Sequence, residues 1–236
     1  MKSRKKIVLI VASLFFVIAE TTLAVLVQKI GGDANRIISY SSIVLACLFL
    51  SLFAERTWEY LFTQAALIMT LCADYFLVLL TDIKQFPAMI FFSVAQIAYF
   101  VRIYLSTDNK KVRIAHVAAR TSIVILAIAI TFIVLGKKAD TVSVVSMFYF
   151  ANLLVNIVFA MLQIRKNYIL AIGLVLFACC DVLIGLSCIE CYLEIVPGTF
   201  VYRLAHPGYN LAWMFYIPSQ MLIALSLLPQ KLKKLK

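Results

Sequence analysis

Three acidic residues stand inside long apolar stretches of the chain, where a carboxyl group is least expected. They are Glu20, Asp74 and Asp181, whereas the other acidic residues lie in polar joints or near segment ends. An ionisable side chain near the centre of a bilayer costs at least about 2.5 to 3.5 kcal/mol, so each marks a functional site by default. Two such carboxyl groups can serve as general acid and general base, or relay protons across a membrane.

The composition indicates that these stretches lie in lipid. Of the 236 residues, 64% are hydrophobic and only 14% are charged. Mean hydropathy is +1.01. A soluble domain has about 45 to 50% apolar and roughly 25% charged residues. We therefore expect an integral membrane protein in which residues 1–236 form one transmembrane domain.

Eight segments are long and apolar enough to cross a hydrocarbon core of about 30 Å. None alternates apolar and polar residues as a barrel strand does, so the predicted fold is an all-α bundle of about eight transmembrane helices. The predicted segments are Ile7 to Gln28, Arg36 to Phe53, Glu59 to Leu80, Phe86 to Leu105, Ile114 to Leu135, Val142 to Gln163, Tyr168 to Leu186 and Tyr209 to Leu228.

The distribution of basic residues predicts the orientation. Most of the 22 Lys and Arg residues, including Arg102 and Arg120, fall on the side that holds both termini. By the positive-inside rule the N- and C-termini are cytoplasmic, and we expect a multi-pass protein of the cell membrane. The net charge of +11 thus reflects topology and contact with membrane lipid. No nucleic-acid-binding module is recognisable, so nucleic acid is not an expected partner.

Helix geometry brings the three acids to a common depth. Counting about 1.5 Å per residue places each roughly 20 Å above the cytoplasmic end of its helix. Uncharged polar side chains on the helices that run the opposite way fall near the same level. These are Tyr99, Tyr149, Tyr216, Gln96, Asn152 and Gln220.

These polar groups have a purely structural explanation as well. Interhelical hydrogen bonds in membranes contribute about 0.6 kcal/mol each, and amides are common partners in them. That explanation suits Gln96, Asn152, Asn156 and Gln220 better than the aspartates, because a carboxylate costs more to bury than an amide. Glu20 lies between these cases.

Cysteine and histidine give weaker signals. Cys188 and Cys191 form a lone Cys-x-x-Cys in the loop before the last segment, which fits either a disulfide or two free thiols. A zinc site needs two further ligands, and His206 is only one distant candidate. His116 is predicted at the cytoplasmic start of the fifth segment, too far from a buried acid for a serine-hydrolase triad.

Three patches of the sequence resemble the YhhN-like lysoplasmalogenases, a family of membrane enzymes with eight helices. The patches are Ala73-Asp74 in the third segment, Cys180-Asp181 in the seventh, and Tyr216 followed by Ser219 to Ile223 in the eighth. The family usually has Gly before the first aspartate, Ser before the second and often His in the fourth helix. This chain has Ala73, Cys180 and Gln96 there.

The resemblance implies hydrolysis of the vinyl-ether bond of a lysoplasmalogen, a lysophospholipid, to a fatty aldehyde and a glycerophospho-alcohol. Asp74 and Asp181 match the family's aspartates and are the predicted catalytic residues. Paired carboxyl groups suit this chemistry, because glycosidases use such a pair on a related cation, and no metal or cofactor is required. The predicted substrate-binding residues are Tyr99, Tyr149, Asn152, Tyr216 and Gln220.

Two other functions fit the same residues. In a proton-coupled transporter or lipid carrier, the buried acids would form a proton relay, and Pro218 in the eighth segment would mark a broken helix. In a non-catalytic scaffold, the acids would only lock helices together. Asparagine at both aspartates separates these functions, because Asn hydrogen-bonds but cannot donate or accept the catalytic proton.

Overall fold

The computed structural model describes residues 2–206 and 210–228, and every regular element within them is helical. Nine α-helices occur in this part of the chain. They are α1 (Lys2–Lys29), α2 (Gly32–Phe53), α3 (Trp58–Asp74), α4 (Gln85–Ser106), α5 (Lys110–Leu135), α6 (Thr141–Leu162), α7 (Ile164–Ile189), α8 (Phe200–Ala205) and α9 (Leu211–Leu225).

Seven of these helices, α1 to α7, are long and apolar enough to cross a membrane. The predicted all-α membrane bundle is therefore confirmed. The eighth predicted segment forms α9, which has 15 residues and is about 22 Å long. Its predicted start at Tyr209 and the C-terminal lysines 231, 233, 234 and 236 lie outside the described residues. The cytoplasmic position of both termini remains a prediction.

Side chains in the short joints define where several helices begin. Thr57 accepts a hydrogen bond from the Tyr60 amide at the start of α3, and Asn109 accepts one from the Lys111 amide at the start of α5. Asp140 and Ser143 form a reciprocal capping box at α6. The hydrogen bond from the Ser143 amide holds the pKa of Asp140 below its usual range. These caps satisfy amides that a helix start otherwise leaves without partners.

Six helices form a ring in which each contacts the next, and α1 and α5 pack against the outside of this ring. In order around it, the six are α2, α3, α4, α6, α7 and α9. The most extensive contacts join α3 to α4 and α7 to α9. Helix α6, which contacts α4 and α7, and helix α2, which contacts α9 and α3, link these two pairs. The aspartates lie on α3 and α7, the corresponding members of the two pairs. This placement fits a four-helix unit that occurs twice in the chain, although α1 packs on both α2 and α9, whereas α5 packs chiefly on α6.

Helices α7 and α9 approach closely at Gly173. A Cβ atom there would lie 2.9 Å from Cγ1 of Ile223 and 3.2 Å from the Ser219 carbonyl oxygen. We expect Gly173→Ala to lower the free energy of unfolding by about 1 to 3 kcal/mol, since overpacking forces the backbones apart. Thermal unfolding in detergent measures this. Gly185→Ala, on the same helix with open space around its Cβ, is the control; equal melting temperatures for both variants would contradict the expectation.

Candidate active site

Asp74 is the last residue of α3 and is held against α9. Its side chain is buried, with 3% exposed, and its carboxylate accepts a hydrogen bond from the Tyr216 hydroxyl. Directly after it the chain widens into a π-helical turn, Tyr75–Leu79. Such turns are rare and often occur at functional sites. The α-helix therefore ends at Asp74, while the helical chain continues to Leu79.

Arg36 of α2 closes this π-helical turn. Its guanidinium donates to the carbonyl oxygens of Val78, at 2.7 Å, and Leu79, at 3.1 Å, and also to that of Leu80. Carbonyl groups at the end of a helix otherwise lack intrahelical partners. Asp74 is thus fixed by Tyr216 at its side chain and, through the turn that follows it, by Arg36.

Asp181 lies on α7 and pairs with a tyrosine of α6. Its carboxylate accepts a hydrogen bond from the Tyr149 hydroxyl, and its side chain is half-buried. Cys180, the residue before it, is buried. Both predicted catalytic residues therefore have the same local arrangement, in which a carboxylate on one helix accepts a bond from a buried tyrosine on another. A charge-assisted bond of this kind orients the carboxyl group.

The two tyrosine and aspartate pairs belong to one site. A chain of ring contacts links the tyrosine that bonds Asp181 to the tyrosine that bonds Asp74. Buried rings connect the tyrosines: Phe92 lies 5.3 Å from Tyr149, and Phe177 lies 5.8 Å from Tyr216, measured between ring centroids. Phe92 and Phe177 also contact each other, at 5.9 Å. Two carboxyl groups thus share an apolar, aromatic surrounding.

An amide cluster begins one helical turn from this site. Asn152 and Asn156 lie on the same face of α6 as Tyr149, since residues three or four apart are neighbours on a helix. The Asn156 amide nitrogen donates to the Gln96 side-chain oxygen on α4 at 2.9 Å. Arg120 of α5 donates to the side-chain oxygens of both asparagines. The predicted polar layer therefore continues from Asp181 to α5.

The remaining predicted residues do not bond the aspartates. Tyr99 is fully buried on α4, and its hydroxyl has no hydrogen-bond partner among the described residues. Gln220 is also fully buried and lies one turn after Tyr216 on α9. Its amide nitrogen donates to the Ser219 hydroxyl at 3.2 Å. Glu20 accepts a 2.6 Å bond from Ser42 of α2, so its polar partner differs from those of the two aspartates.

Sequence reasoning missed three basic side chains inside the bundle. Arg102 and Arg120 were assigned to the cytoplasmic side, and His116 to the start of the fifth segment. In the structure Arg102 is buried and donates to the Thr63 hydroxyl at 2.9 Å, while His116 is fully buried. Arg120 lies near the middle of α5. The spacing of two of them would have indicated a shared site. His116 and Arg120 are four residues apart and therefore lie on the same face of α5.

The cysteines give no paired site in the structure. All six are free thiols, Cys188 and Cys191 among them. The ring nitrogen Nε2 of His206 lies 3.2 Å from a Glu190 carboxylate oxygen, so this histidine pairs with an acid in the same loop. Within the described ranges, no group of three or more His, Cys, Asp and Glu side chains is placed to hold a metal ion.

Together, the apolar helices and the two carboxylate pairs define a multi-pass helical membrane protein with a polar site inside its bundle. Its sequence matches the model of the YhhN family over residues 34–227, and the protein belongs to the YhhN family. The resemblance inferred from the sequence is thereby confirmed. No curated protein and no solved structure matches the chain. The matched range includes both aspartates and both tyrosines but excludes Glu20.

Proposed function

We propose that this protein is a membrane hydrolase that cleaves the vinyl-ether bond of lysoplasmalogens. The observation that carries the proposal is the two aspartates, each oriented by a buried tyrosine and linked through buried aromatic rings, inside a YhhN-family bundle. Holding two carboxyl groups inside an apolar bundle is costly, and active sites are where burial and paired carboxyl groups are characteristically combined.

The reaction needs one proton donor and one proton acceptor. The protonated carboxyl group donates to the alkene carbon of the vinyl ether, which gives an oxocarbenium ion on the carbon next to the ether oxygen. The other carboxylate removes a proton from water as the water attacks that carbon. The resulting hemiacetal breaks its bond to the glycerol oxygen, which takes the proton that the second carboxyl group gained from water. The first carboxylate takes the proton of the hemiacetal hydroxyl, so both groups return to their starting states. The products are a fatty aldehyde and a glycerophospho-alcohol.

The surroundings of the aspartates support entry of the substrate tail from lipid. Tyr75 and Val182, which directly follow the two aspartates, are each 44% exposed on the outer surface of the bundle. A fatty chain lying between helices would therefore pass close to both carboxyl groups. Inside the bundle, Tyr99, Asn152 and Gln220 would bind the glycerol oxygens or the attacking water.

Aldehyde release by the purified protein tests this function. We expect release from a 1-alkenyl lysophospholipid in detergent, and none from the 1-alkyl compound of the same chain length, because a saturated ether has no alkene carbon to protonate. Mass spectrometry of the trapped aldehyde gives the readout. Failure to cleave alkenyl substrates with either ethanolamine or choline head groups would overturn the proposal.

A proton-coupled transporter is the second candidate, and interruptions of two helices favour it. A π-helical turn follows Asp74, and Pro218 lies inside α9 only two residues beyond Tyr216. Transporters often bind ions at such interruptions near the middle of the membrane. Reconstitution in liposomes with a pH-sensitive dye separates the two functions. Proton uptake that depends on Asp74 and Asp181, without aldehyde release, would favour transport.

A further inference from the structure

A second polar cluster lies between α4, α5 and α6, and it has more hydrogen-bond donors than acceptors. His116 is fully buried, yet neither of its ring nitrogens has a partner among the described residues. The Nε atom of Arg120 and the side-chain amide nitrogen of Gln96 are likewise buried without partners there. An imidazole carries at least one N–H, so three side chains present unused donors. Buried donors are normally satisfied, so this surplus requires an acceptor.

The cluster also carries an uncompensated positive charge. Arg120 contacts two asparagines and the face of the Phe100 ring, with its guanidinium carbon 4.2 Å from the ring centroid. Across the described residues, none of the salt bridges includes Arg120. A guanidinium inside a membrane protein is commonly paired with an oppositely charged group, and an anionic ligand would supply that partner for Arg120.

The position of the cluster relative to the aspartates identifies the anion. Tyr149, which bonds Asp181, and Asn152, which bonds Arg120, are neighbours on α6, with Cβ atoms about 5 to 6 Å apart. In a lysophospholipid, a single glycerol unit separates the phosphate from the ether oxygen. A phosphate at Arg120 therefore leaves the vinyl ether within reach of Asp181.

We propose that Arg120, His116 and Gln96 form the binding site for the phosphate diester of the lysophospholipid. This inference rests on the proposed function for the identity of the whole substrate. A guanidinium matches the geometry of phosphate oxygens, and the histidine and glutamine donors complete the set. Phe159, stacked on His116 at 3.9 Å between ring centroids, and Phe100 form apolar walls that strengthen these hydrogen bonds.

The test compares substrates with and without phosphate. For wild type and Arg120→Gln, kcat/KM is measured on a 1-alkenyl lysophospholipid and on the matching 1-alkenylglycerol. We expect the ratio of the two values to fall about tenfold or more in the variant, through KM for the phospholipid, because a charge-assisted bond is lost. Lys111→Gln, an exposed position on the same helix, is the control for general attraction of anionic lipid. A ratio that stays unchanged in Arg120→Gln overturns the assignment.

A binding measurement keeps this inference separate from the proposed function. The saturated 1-alkyl lysophospholipid should raise the melting temperature of wild type, and this increase should be lost in Arg120→Gln and reduced in His116→Phe, which keeps the stacking on Phe159 but has no N–H. This result stands even if no aldehyde is ever released. Equal stabilisation of wild type and both variants overturns the phosphate site. An increase with inorganic phosphate as large as that with the lysophospholipid overturns a lipid source for the anion.

Discussion

Replacing either aspartate with asparagine is expected to reduce aldehyde release about 10²- to 10⁴-fold, the range that general acid or base catalysis contributes. Asp74→Asn and Asp181→Asn keep the side-chain shape and can still accept the hydrogen bonds from Tyr216 and Tyr149, but they can neither supply nor take up the proton. Because the two carboxyl groups act in one reaction, the double variant should lose little more than the worse single variant. Steady-state aldehyde assays in detergent measure these rates.

Glu20→Gln is the matched control for this pair. Glu20 is also a buried acid, but it bonds Ser42 and lies outside the range that matches the family. Its replacement should leave kcat within a few-fold of wild type. All three variants must elute and unfold thermally like the wild type. A loss of activity then cannot be attributed to a loss of structure. Full activity in folded Asp74→Asn or Asp181→Asn would remove that aspartate from the catalytic pair.

Removing the tyrosine hydroxyls should have the second largest effect. Hydrogen bonds to charged groups contribute about 1.5 to 3 kcal/mol, which corresponds to about a 10- to 100-fold change in rate. Tyr149→Phe and Tyr216→Phe keep the ring contacts with Phe92 and Phe177 but release the carboxylates. We expect kcat to fall by a larger factor than KM rises, because the hydrogen bonds orient the reacting groups.

Double-variant cycles show whether each tyrosine acts through its own aspartate. Tyr216→Phe should cost little more activity once Asp74→Asn is present, and Tyr149→Phe should behave likewise with Asp181→Asn. Tyr104→Phe, at the end of α4, is the control, since the contacts of Tyr104 with Phe100 and Arg113 are made by its ring. Additive losses within either pair would contradict the assigned partnership.

Hydropathy predicted the helices well because lipid demands long apolar segments. The structure extends several of them into polar residues that act as caps. Helix α5 begins at Lys110 because Asn109 caps it, four residues before the predicted start at Ile114. Helix α7 begins at Ile164 and is kinked at Asn167, next to the predicted start at Tyr168. Short α8 was not predicted, since its six residues are far too few to cross a membrane and hydropathy selects only long segments.

The candidate site was only partly predictable. Depth along each helix brought Asp74, Asp181, Tyr149 and Tyr216 to one level, but depth does not determine which face of a helix turns inward. The pairing of each aspartate with its tyrosine therefore required the packing of α3 on α9 and α6 on α7. Arg120 was missed because charge counting assigns basic residues to the membrane surface, whereas this side chain turns toward α6.

Hydrolysis in heavy water tests the central claim most directly. If an intramembrane carboxyl group protonates the vinyl ether on carbon, wild type should release aldehyde that carries one deuterium on the carbon next to the carbonyl, seen by mass spectrometry after immediate reduction to the alcohol. Asp74→Asn and Asp181→Asn should release almost none. Aldehyde without deuterium, or equal release by the folded variants, would contradict acid-catalysed cleavage by the two aspartates.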